Sequence, residues 1–225
     1  MIHVSKNKGA RSKICARLTP LAMLCALAQP AQAAEPLTPC PTSADLHAEG
    51  IILSRTNPRM SEAFRYENGQ LIGYRADDPD LGRAPQREIF AHPLAITTRQ
   101  SAGREFTLRY TDNPTALDTL SQKGRWSSPV ALLVDGKPER QGTITYTYRG
   151  PGSVQIGTCT YPVWQVVERV DLGDLHSSFL KEFAPDPGIV LRSTKLDPKT
   201  SKALSQVAFD AITVRKKKPT DKGPE

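Results

Sequence analysis

Chemistry needs a reactive side chain beside a second functional group, and few stretches of this chain offer that. His47, His92 and His176 are candidate bases or ligands, yet none stands in a His-x-x-x-His spacing. His176 is followed by Ser177 and Ser178, a base next to hydroxyls that could act as nucleophiles. Neighbours on a strand point to opposite faces, however, which keeps His176 and Ser177 apart. The stretch "RADDPDLGR" gathers Asp77, Asp78 and Asp80, but it lacks the alternate donors, central glycine and later glutamate of an EF-hand loop. Pro79 makes a solvated turn the simpler reading. There is no Gly-x-Ser-x-Gly elbow and no phosphate-cradling glycine loop. Carboxylates for glycoside hydrolysis could lie far apart in sequence, and nothing nominates a pair. The expectation is a protein with no catalytic residue, no metal site and no cofactor.

Two cysteines bear on location. Lys6, Lys8, Arg11, Lys13 and Arg17 precede an apolar run from Leu18 to Ala28, and Ala31-Gln32-Ala33 follows Pro30. That is the three-part pattern of a secretory signal peptide, with residues 1–33 removed after Ala33. The run is well short of the roughly 20 residues that cross a bilayer, and no other segment is long and apolar enough to do so. Cys25 follows Leu24 rather than a small residue, which argues against a lipoprotein cleavage site. Cys15 and Cys25 leave with the leader, so Cys40 and Cys159 remain. In an oxidising compartment such as the periplasm the simplest state for them is a disulfide; two free thiols or an intermolecular bridge are the alternatives.

Charge follows the same division. The chain carries 30 cations and 23 anions, but five of the cations lie in the leader and five more in residues 215–225. Residues 34–214 hold 20 cations against 21 anions, a net −1. The basic balance belongs to the two ends and gives no nucleic-acid-binding face. The tail "RKKKPTDKGPE" has nothing to bury and reads as disordered, with lipid head groups or plain solvent as its surroundings.

What positions these residues is a series of strands in one domain, 34–214. In "REFTLRY", Phe106, Leu108 and Tyr110 share a face; in "TITYTYR", Ile144, Tyr146 and Tyr148 do. Asn68-Gly69 is the favoured pair for a two-residue type I′ turn, which sets Tyr66 opposite Leu71, Phe64 opposite Gly73 and Glu62 opposite Arg75 as an ion pair at the end of the face. Asp135-Gly136 plays the same part, with Pro138 limiting the pairing. Gly150-Pro151-Gly152 reads as a third reversal, and Pro162 as a bulge or an edge position. In "EFAPDPGIVLRSTKL", Pro187 and Gly188 suit the middle of a four-residue type II turn, and Pro185 ends the strand before it. Residues 112–124 leave room for a short helix. "SKALSQVAFDAITVR" places Leu204, Val207, Ala208 and Ala211 at helical spacing, but its end, with Phe209, Ile212 and Val214, favours a strand. The fold class is all-β with minor helix.

The segments "VQIGTCTYPVWQVVERV", "FAPDPGIVLR" and "LSQVAFDAITV" resemble the carboxyl-terminal half of a group of exported bacterial proteins of unassigned function. Pro187 departs from the pattern, which commonly has an apolar residue there. The resemblance implies a single, strongly curved antiparallel sheet, a half-barrel similar in shape to periplasmic lipoprotein carriers. It also implies a concave apolar surface and no reaction. Two functions follow as expectations: binding of an apolar or lipid-like ligand or a client polypeptide, or an envelope structural protein that meets a partner through its outer surface and basic tail. Aromatic residues make up 6% of the chain, which counts against a wide greasy cavity.

Overall fold

Alternating β-branched and aromatic residues make strands, and short turns between them make a meander. The computed structural model describes residues 39–216. The leader expected at residues 1–33 and the tail beyond Lys216 lie outside the described residues. Strands β1 (Ile51–Arg55), β2 (Met60–Glu67), β3 (Gln70–Asp77), β4 (Gln86–His92), β5 (Ala95–Ser101) and β6 (Arg104–Tyr110) pair in sequence order. They are followed by β7 (Arg125–Val134), β8 (Lys137–Ile156), β9 (Cys159–Leu172), β10 (Leu175–Ala184), β11 (Ile189–Leu196) and β12 (Ala203–Val207). A last strand, β13 (Ala211–Val214), returns to the far side of β1, giving one open sheet of 13 antiparallel strands. No helix among the described residues is long and apolar enough to cross a membrane.

The curvature follows from connectivity. β12 and β13 are the two edges of the sheet, yet only Ala208, Phe209 and Asp210 separate them. Four Cα steps span at most about 15 Å, so the sheet must curl until its outermost strands are near neighbours. The link itself is tied down: the Asp210 N–H donates to Ser54 O at 2.8 Å, and the Thr56 N–H donates to Asp210 Oδ2 at 2.7 Å. Phe209 is buried. A C-terminal stretch expected as one strand is therefore two, and pairing runs on to Arg215, whose N–H donates to Gly50 O at 2.9 Å.

The hairpin register agrees with the turn residues. Asn68 and Gly69 have φ of 50° and 79°, Asp135 and Gly136 have 51° and 77°, the left-handed values a type I′ turn requires. Tyr66 pairs with Leu71, Phe64 with Gly73 and Glu62 with Arg75. Two turn expectations are corrected. Gly150-Pro151-Gly152 does not reverse the chain but lies inside the 20-residue β8, which turns only after Ile156. β7 pairs with β8 no further than Thr147, and β10 pairs with β9 only from Trp164. Residues 148–163 thus form a two-stranded arm, where Pro151 and Pro162 sit on local edges that need no third strand. At the other corner, the Gly188 N–H donates to Ala184 O at 2.8 Å, closing five residues rather than the four of a type II turn. Asp186–Pro187 is cis, and Gly188 has φ 86°.

Two cores result. One joins α1 (Ser43–Ala48), through Leu46, to β1, β2, the arm residues Val154, Ile156, Tyr161 and Val163, and the link. The arm is pinned there by the Cys40–Cys159 disulfide, with a Cα–Cα distance of 5.6 Å, and by the Tyr161 hydroxyl donating to Pro41 O at 3.1 Å. The corner also meets α1, since the Ser43 N–H donates to Asp186 Oδ1 at 2.6 Å. The second core covers Ile144, Tyr146 and Val166 with Leu94, Leu117 and Leu120. The last two come from a 3-10 turn, Pro114–Thr119, and α2 (Leu120–Lys123), the short helix expected within 112–124.

Candidate functional site

Between the two cores the concave face forms an open cavity of about 660 Å³. Alternation puts its wall together: Phe106, Leu108 and Tyr110 from β6, Val170 and Leu172 from β9, and Phe179 from β10 all point inward. Phe64 and Phe90 close one side, with ring centroids 6.2 Å apart. Gly73 lies between them on β3; a Cβ there would sit 3.1 Å from Phe90 and 3.3 Å from Phe64, so glycine leaves the rings their places.

Charged side chains interrupt this wall at two poles. At the first, Glu168 on β9 is in phase with Val166 and Val170. Its Oε1 accepts from the Tyr146 hydroxyl and from Lys181 Nζ, each at 2.8 Å. Lys181 also donates to Leu94 O at 2.8 Å and lies 5.6 Å from the centroid of the Tyr146 ring. The Tyr110 hydroxyl donates to Ile96 O at 3.1 Å and lies 3.5 Å from that of Tyr146. Burial pushes both tyrosines above the usual phenol range. The Tyr146 hydroxyl and Lys181 Nζ thus converge on one oxygen of Glu168.

At the second pole, Glu62 on β2 is in phase with Met60 and Phe64. Its nearest cation is Arg75 Nη1 at 3.6 Å, but Arg75 Nε donates to Asp77 Oδ1 at 3.0 Å. Arg99 Nε donates to Glu88 Oε1 at 2.7 Å. Burial, with Glu88 and Asp77 adding to it against Arg75 and Arg99, pushes the Glu62 carboxyl up to about 7. Among the described residues no hydrogen bond reaches the Glu62 carboxyl group.

The histidines and aspartates singled out by sequence are not brought together with the cavity. His47 stacks on Tyr66 at 4.1 Å. His176 pairs with Asp171 at 2.8 Å, whereas its neighbour Ser177 lines the cavity, so adjacent residues do face opposite ways. His92 is buried outside the cavity lining: Nδ1 accepts from the Leu94 N–H at 3.1 Å, and Nε2 stands 3.3 Å from Asp118 Oδ1. Burial pushes its pKa down to about 4, leaving a neutral ring. Asp77 holds Arg75 and Arg83, while Asp78 accepts from the Asp80 N–H to cap a single 3-10 turn. No group of three or more His, Cys, Asp or Glu suited to a metal ion occurs among the described residues. Asn68, Gly69, Asp135, Gly136, Pro187 and Gly188 lie at strand connections, outside the cavity lining. Glu62, Glu168 and Lys181 were not foreseen as site residues, though each is a charge on the apolar phase of its strand.

No family model matches the chain, and no curated protein matches it. The structure is similar to the crystal structure of the hypothetical lipoprotein YmcC from Escherichia coli K12. The two share 11% identity over 68% of this chain and 80% of that one, at a TM-score of 0.42.

Proposed function

We propose that this is an exported, non-catalytic binding protein that holds a ligand with a hydrocarbon chain in its concave face. One observation carries the reading: a cavity of about 660 Å³ with a mostly apolar wall and a few charged groups at fixed places. Ligand sites generally have this size and make-up. The Cys40–Cys159 disulfide supports export, because such bonds persist in oxidising compartments. The polar cluster around Glu168 supports binding over reaction, since Tyr146 and Lys181 are both held on Glu168 rather than left free.

The test is native mass spectrometry of protein purified from an envelope extract without detergent. We expect an adduct that chloroform–methanol removes, and none in the variant Val170→Arg, which places a cation in the cavity wall. A clean apo mass, together with no thermal shift from twelve- to eighteen-carbon chains, would overturn the proposal.

A further inference from the structure

Six charged residues line the cavity, three cations and three carboxylates, and they are held unequally: Glu62 has only Arg75, at 3.6 Å, which it shares with Asp77 outside the wall. Arg75 is bound to Asp77 at 3.0 Å, Arg99 to Glu88 at 2.7 Å and Lys181 to Glu168 at 2.8 Å. Each cation of the wall is thus engaged with a carboxylate. Glu62 alone among the three lining glutamates accepts no hydrogen bond. Its side chain is 20% exposed, so its oxygens open onto the cavity rather than onto a filled core. Around it stand Arg75 and Asp77 from β3, Glu88 from β4 and Arg99 from β5, while β1 places Leu53 opposite it.

This asymmetry selects a head group. An anionic ligand would have to displace a carboxylate from one of three existing pairs and would meet Glu62 as a like charge. A protonated amine finds in Glu62 a carboxylate that accepts no hydrogen bond and has its nearest cation at 3.6 Å, and its N–H groups make charge-assisted bonds. We propose that the ligand is a cationic amphiphile: an alkyl ammonium group on the Glu62 carboxylate, with its chain along Leu71, Phe90, Leu108 and Val170. This rests on the apolar-ligand reading above.

The experiment compares dodecylamine, dodecanol and sodium dodecanoate at pH 8, below their aggregation limits, by titration calorimetry. A charge-assisted hydrogen bond is worth about 1.5–3 kcal/mol, so the amine should bind at least about tenfold tighter than the carboxylate. Glu62→Gln should weaken the amine by a similar factor and leave dodecanol unchanged, which also reports that the variant is folded. Equal affinities for the three, or an equal loss of all of them in Glu62→Gln, would overturn the head-group assignment while the chain-binding reading stands. Failure of all three to bind wild-type protein would overturn both.

Discussion

Glu168 and Glu62 sit on the same concave face, each on the apolar phase of its strand, and their surroundings differ in kind. Glu168 is reached by a lysine and a phenol, both within hydrogen-bonding distance. Glu62 has one arginine at 3.6 Å that is already turned toward Asp77. Removing a carboxylate from water is costly, and only good geometry offsets it. By that measure Glu168 is part of how the sheet holds its shape, while Glu62 is a cost the fold tolerates. Carboxyls shifted by burial are candidates for functional sites, and the head-group proposal rests on this difference between the two glutamates.

The largest test concerns the staple on the Glu62 side, where α1 packs on β2. The disulfide closes a loop of 119 residues, for which chain entropy gives a ceiling of about 5 kcal/mol. Cys40→Ser and Cys159→Ser should lower Tm equally, and the double variant no further; additive losses would separate the two sulfurs. Next is the contrast itself. Lys181→Met leaves Glu168 buried with its charge uncompensated and should cost about 3–5 kcal/mol in urea unfolding, the usual penalty for breaking such a pair. Glu62→Gln should cost nothing at pH 8. Similar losses in both would erase the distinction between the poles.

Titration sharpens it further. With its folded pKa raised to about 7, Glu62 contributes stability below the unfolded carboxyl value that is lost as pH rises through 7. His92, lowered to about 4, does the reverse: its contribution is present above the unfolded value near 6.5 and is lost as pH falls toward 4. Each shift corresponds to about 3 kcal/mol at most, and between pH 4.5 and 6.5 the two slopes oppose. Wild-type stability should therefore be nearly flat there, and Glu62→Gln should unmask a fall with acid. An unchanged profile would show that Glu62 does not titrate in that window. The smallest effect is at Tyr146→Phe, which removes one donor from Glu168 but leaves Lys181, and should cost about 1 kcal/mol.

Much of the fold could be read from residue order because hairpins are local. Asn68-Gly69 sets the pairing of β2 with β3 residue by residue, and the alternation in "REFTLRY" puts three side chains on the cavity wall. Gly150-Pro151-Gly152 carries the same turn signal and misleads, because whether a third strand flanks it depends on where β7 ends. The split of 203–214 into strands at opposite edges is likewise non-local, since both halves alternate and only curvature separates them. Helix α1 did leave a signature, with the Thr42 N–H donating to the carboxylate of Asp45 as in a capping box. The site was legible only as an anomaly. Glu62 and Glu168 interrupt apolar phases, and each meets a cation across the next hairpin, Arg75 on β3 and Lys181 on β10. How closely each cation approaches is a matter of side-chain geometry that register alone does not give.

The most direct test of the central claim, that the concave face takes up a hydrocarbon chain, is calorimetric titration of dodecanol at several temperatures into wild type and Val170→Arg. Burial of apolar surface has a negative heat-capacity change as its marker. One saturable site per chain with a clearly negative value, lost in Val170→Arg, is the predicted result. No saturable heat, or binding that the substitution leaves untouched, would contradict it.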